Sequence, residues 1–211
     1  MIFKPLILTL AVLLTTTLAP SACGEDEVTI LDYKTEKLEH DIFTIHYPTG
    51  RWKAEKKVDS ESRRAFFSLT AVENSSVVIQ FMITGGLPAH DPQYEENPHM
   101  VNVGAILPVA LNVAGKDESR IFISVGHANL PLFSDTTSRA SILLENGSAL
   151  NVEACHLVVP HDDESSLMVA VLSTMSVGSQ ELNSQNYADL IREAYAIIQA
   201  MKYRGMHDEQ D

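Results

Sequence analysis

Residues 41–58 read DIFTIHYPTGRWKAEKKV, and this stretch decides the fold class. Phe43, Ile45 and Tyr47 recur at period two, which places them on one face of an extended strand. Pro48-Thr49-Gly50 then punctuates the chain as a turn, since proline presets φ and glycine accepts conformations that other residues avoid. Trp52, Ala54, Lys56 and Val58 alternate again beyond it. Two alternating runs around a short turn predict an antiparallel hairpin.

The pattern continues outward from this hairpin. Ala65 to Val72 carry Phe66, Phe67, Leu69 and Val72, and Asn74-Ser75 makes a turn. Val77 to Ile83 are apolar at nearly every position, which predicts a strand buried on both faces. Residues 85–100 change character, with three prolines, two glycines and three acids, and are expected to be a loop. Val101 to Ala114 are apolar and predict a short helix, broken or started near Pro108. Arg120 to Val125 read as a strand. Ser141 to Leu144 and Ala149 to Val159 flank Asn146-Gly147, a strong hairpin signal. Pro160 to Glu164 form a turn before a further strand from Leu167 to Met175.

The last element is a helix. Ser184 can cap it, and Tyr187, Leu190, Ile191, Ala194, Ile198 and Met201 fall on one face. Lys202, Arg204 and Gly205 suit its end. The sum is an α+β domain: a largely antiparallel β-sheet of six to eight strands with a C-terminal helix packed on it.

At the other end, Lys4 precedes an uncharged apolar run from Pro5 to Leu18. The run is long enough for the core of an export signal and short for a membrane span. Ser21-Ala22 then stand before Cys23, and this resembles the lipobox of bacterial lipoproteins, with Pro20 where that family usually has Leu. The resemblance implies cleavage after Ala22 and acylation of Cys23, so that lipid would tie the chain to a membrane. The expected organisation is a signal peptide over 1–22, a lipidated polar tether over 23–40, one α+β domain over 41–205 and a polar tail over 206–211. The expected location is the bacterial cell envelope or periplasm.

Composition narrows the function classes. At 45% apolar and 20% charged residues, the chain is neither disordered nor a multi-span membrane protein. Its net charge of −13 repels nucleic acid, so no nucleic-acid partner is expected. Of the two cysteines, Cys155 lies in a strand-like run and has three readings. It is a small buried hydrophobe, a disulfide partner of an unacylated Cys23, or a nucleophile beside His156. Neighbours on a strand point to opposite faces, which argues against the last.

The eleven residues Phe43 to Lys53, an aromatic-Pro step turning into a strand that begins with Trp52, resemble the opening hairpin of the PsbP-like and DcrB-like proteins. The later order of strands, mid-chain excursion, final hairpin and C-terminal helix is similar too. The resemblance implies a PsbP-like sandwich of antiparallel sheet and helices, and an accessory or binding role, with an envelope protein as the expected partner, rather than an enzymatic one.

Candidate chemistry is sparse. No Gly-x-Ser-x-Gly, Ser-x-x-Lys or His-Glu-x-x-His pattern is present. Gly85-Gly86 lacks a phosphate-binding context, and no cofactor is expected. His90, Asp91, Glu95, Glu96 and His99 gather in the 85–100 stretch, and imidazole with carboxylate suits a divalent metal or a small polar ligand. The spacing matches no strong ligand motif, which leaves the identity of any metal open. His161 to Glu164 read as a polar turn, without the alternating ligands and glycine of a calcium loop. Trp52, the single tryptophan, reads as core. The expectation is a non-enzymatic, envelope-anchored accessory or protein-binding domain. The alternative is a periplasmic protein that binds a small ligand or metal through residues 85–100.

Overall fold

A computed structural model of the chain describes residues 34–40, 42–59, 61–88, 97–114, 120–127, 136–143, 148–161, 163–177 and 185–203. The strands run β1 (Thr35–Glu39), β2 (Phe43–Pro48), β3 (Trp52–Asp59), β4 (Arg64–Ala71) and β5 (Val77–Pro88). Helix α1 (Pro98–Ala114) follows, then β6 (Arg120–His127), β7 (Thr136–Leu143), β8 (Ser148–His161) and β9 (Glu164–Val177). Helix α2 (Gln185–Gln199) and a two-residue strand β10 (Lys202–Tyr203) close the domain. The fold is α+β, as expected, with antiparallel strands and the C-terminal helix packed on the sheet.

The hairpin around Pro48 is not a paired hairpin. Strand β2 pairs with β1 on one side and β10 on the other, while β3 pairs with β4 in a different sheet. The turn is therefore a corner between two sheets. Gly50 sits at φ +77, and the Arg51 amide donates to the Pro48 carbonyl at 3.4 Å. That is the geometry that favours glycine at the third position of a type II turn.

The first sheet has three strands in the order β1-β2-β10. The second has seven, in the order β3-β4-β5-β9-β8-β7-β6. Its two meanders, β3 to β5 and β6 to β9, join where β9 lies against β5. Both ladders alternate, so the seven-stranded sheet has two distinct faces.

The first face carries Phe67, Leu69, Ile79, Phe81, Cys155, Met168, Ala170 and Leu172. Phe43, Ile45 and Tyr47 from β2, together with Tyr187, Leu190, Ala194, Ile197 and Ile198 from α2, close over it. The opposite face carries Ala140, Ile142, Val152, Ala154, Val169 and Val171, and α1 covers it through Ile106. Burying one such large side chain contributes about 1.5–3 kcal/mol. Helix α1 tolerates Pro108 because the ring and Gly104, four residues earlier, are both on its exposed side. Water can then satisfy the carbonyl that loses its helical partner.

Several boundaries differ from expectation. Residues 35–39, assigned to the tether, form β1, whose single buried apolar residue, Leu38, leaves no alternating signal. Gly85 to Pro88, assigned to the loop, extend β5 through a bulge between Thr84 and Leu87, with Gly86 at φ +69. Pro98 to Met100 belong to α1. Strand β5 alternates fully and partly buried residues rather than being sealed on both faces.

Candidate functional site

Helix α1 brings a polar group into an otherwise apolar interface. Asn97-Pro98 starts the helix, with proline in the first turn where its missing N–H costs nothing. His99 and Asn102 are then three residues apart and share one face. Asn102 is 0% exposed and sits beneath the helix against β8. Its Oδ1 lies 2.8 Å from Nδ1 of His156, itself 3% exposed. With that amide oxygen as acceptor, Nδ1 of His156 carries the proton and Nε2 carries the lone pair. Desolvation holds the His156 imidazole below its usual pKa, and the neighbouring His99 adds to the effect. His99 is partly exposed, yet its Nδ1 is buried without a hydrogen-bond partner.

The first face holds two other polar clusters. Glu193, on the buried side of α2, is 3% exposed and accepts hydrogen bonds from Trp52 Nε1 at 2.5 Å and Arg51 Nε at 3.1 Å. These bonds clamp the corner between the sheets to the helix. Further along α2, Tyr195 donates to Glu153 at 2.6 Å, and Arg139 pairs with the same carboxylate at 3.2 Å. Burial first, then the bond to Glu153, pushes the Tyr195 phenol well above its ordinary pKa. Behind it lies a cavity of about 10 Å³ lined by Thr137, Cys155, Leu172 and Ile198 among others. Such a volume holds at most one water, which makes the cluster a structural joint rather than a ligand pocket.

Cys155 is buried in the first core, and burial pushes its thiol up to about 12. His156 points to the other face. The pair therefore forms no dyad, as strand alternation predicts. Trp52 is a core residue at 4% exposure.

Of the residues singled out by sequence, Cys23, His90, Asp91, Glu95 and Glu96 lie outside the described residues. His99 is placed, in the first turn of α1. Sequence reading missed Asn102 and Glu193. Each is a polar residue inside an apolar helical face, at positions where water is excluded, and that is the signal that could have found them. Among the described residues, no three His, Cys, Asp or Glu side chains come together. Among the same residues, no helix is long and apolar enough to cross a membrane.

The sequence matches no family model and no curated protein. Two solved structures share part of the fold. LpqN of Mycobacterium tuberculosis, involved in cell envelope biogenesis, is 14% identical over 82% of this chain and 94% of its own, with a TM-score of 0.42. A protein of Bacteroides thetaiotaomicron is 10% identical over 78% of this chain and 46% of its own, with a TM-score of 0.33. Likeness at this level carries no argument about role.

Proposed function

We propose that this chain is an exported, lipid-anchored domain of the bacterial cell envelope that works by binding another envelope protein. The observation that carries this reading is the leader itself: Lys4, the apolar run to Leu18, and Ser21-Ala22 immediately before Cys23. The fold is compatible with it. Strand β1 begins at Thr35, which leaves a short acidic stretch, Glu25-Asp26-Glu27 included, between the proposed anchor and the domain. The corner bearing Trp52 agrees with the resemblance to PsbP-like and DcrB-like proteins in sequence, though not in strand pairing.

The test is fractionation of the native host with and without Cys23→Ser. Wild type should partition with membranes and take up a clickable fatty acid, and the variant should lose the label and become soluble or remain unprocessed. A wild-type chain that carries no label and fractionates as soluble would remove the anchor. Site-specific photo-cross-linking in the same cells then reports whether a single envelope protein is held.

A second reading, capture of a metal or small ligand near residues 85–100, is favoured by one observation. The Nδ1 of His99, at the end of that stretch, is buried without a hydrogen-bond partner.

A further inference from the structure

We propose that the buried Asn102–His156 pair is an acid-sensitive latch for helix α1, which lifts from the opposite face of the seven-stranded sheet when His156 becomes an imidazolium. The inference goes beyond the binding readings above and does not depend on the lipid anchor.

The geometry sets up the latch. Helix α1 packs on β7 and β8, and Asn102, 0% exposed, is the buried polar side chain on its sheet side. Its Oδ1 meets Nδ1 of His156 at 2.8 Å, and His156 is itself 3% exposed. That bond joins the helix to the sheet and uses the one N–H of a neutral imidazole. A second proton, taken from solvent, goes to Nε2 and places a full charge under the helix. A buried charge is costly unless it is paired. Helix α1 contains no Asp or Glu to pair with it. The residues of β7, β8 and β9 that share this core, Ala140, Ile142, Val152, Ala154, Val169 and Val171, carry no titratable group. The one titratable side chain of α1 is His99, a turn before Asn102, and its charge opposes a charge on His156. Lifting α1 gives the imidazolium to water and removes the penalty.

The direction of the pH dependence follows. Burial first, then His99, holds the His156 ring below its ordinary value of 6.5. The stability that the neutral ring contributes is therefore complete above 6.5 and is lost as pH falls below it. At neutral pH α1 belongs to the cooperative core, and protonation of His156 gives it an opening of its own.

The experiment uses the full chain purified from its host. Native-state hydrogen exchange of the α1 amides is measured at about pH 7.5 and about pH 5, corrected for intrinsic exchange rates and referred to the amides of β9. In wild type, α1 protection relative to β9 should fall about tenfold on acidification. His156→Gln keeps a donor toward Asn102 and cannot charge, so its ratio should stay constant. His46→Gln, on β2, removes another histidine held below its ordinary value chiefly by burial, and should respond as wild type does. The ring nitrogens of His156, followed by NMR in wild type over the same range, need no variant. They should report the Nδ1–H tautomer and take up the second proton below 6.5. No relative fall in wild type, an equal fall in His156→Gln, loss of the response in His46→Gln, or a His156 ring that titrates at or above 6.5 overturns the proposal. None of these outcomes alters the fractionation result that tests the anchor.

Discussion

The indole of Trp52 fills the first core while its Nε1–H reaches Glu193. Two contributions can therefore be separated at one residue. Trp52→Ala removes both, opens a large cavity and should cost about 3–5 kcal/mol. Trp52→Phe keeps most of the ring packing and removes only the donor. Glu193 then retains Arg51, so the cost should be nearer 1–3 kcal/mol, the range for leaving a buried acceptor short of one bond. Urea unfolding midpoints at constant m-value measure both. Equal losses in the two variants would mean that the hydrogen bond, not the packing, dominates. A negligible loss in Trp52→Ala would contradict the burial. Cys155 is the opposite case: its thiol is buried in the first core and held protonated by burial, so it acts as a small hydrophobe.

Among the described side chains of helix α1, Ile106 is the fully buried apolar one against the sheet and Asn102 the fully buried polar one. Ile106→Ala should cost about 2–5 kcal/mol and should loosen α1 in particular. Far-UV circular dichroism should show little change in strand signal, and the Asn102–His156 bond should weaken, visible as faster exchange of the His156 ring proton. If that proton is unaffected, the polar group alone holds the helix. What sequence could reveal about these elements follows from their burial. Strands β4, β5, β8 and β9 and helix α2 were legible, because each buries at least one face against a core. Strand β1 was hidden by its lone Leu38, and the start of β7 by Thr137 and Ser138, which are buried but polar. The corner at Pro48 was misread as a hairpin because alternation shows which side chains share a face, not which strand lies alongside. Strand β2 takes β1 and the two-residue β10 as neighbours, while β3 turns away to pair with β4 in the other sheet. At the candidate site, His99 was legible as a metal-binding type, whereas the contact of Asn102 with His156, 54 residues apart in sequence, was reached only through the fold.

The domain as a whole is organised around β9, the central strand of the seven. Its Met168, Ala170 and Leu172 enter the core under α2, and its Val169 and Val171 enter the core under α1. Strand β8 shares the arrangement, with Cys155 on one side and Val152 and Ala154 on the other. Both cores thus include the same backbone, and neither can come apart without exposing one face of β9. This coupling predicts the order of hydrogen exchange. Amides of β8 and β9 should exchange slowest, through global unfolding alone, and those of the edge strand β3, whose outer residues are mostly exposed, should exchange sooner. A substitution in either core, Phe81→Ala under α2 or Ile106→Ala under α1, should lower the protection of β9 by the same free energy that it removes from global stability. Native-state exchange at increasing urea, read by NMR or by mass spectrometry of overlapping peptides, measures both quantities. If Ile106→Ala instead lowered protection in α1 and β7 while leaving β9 untouched, α1 would open as a separate unit.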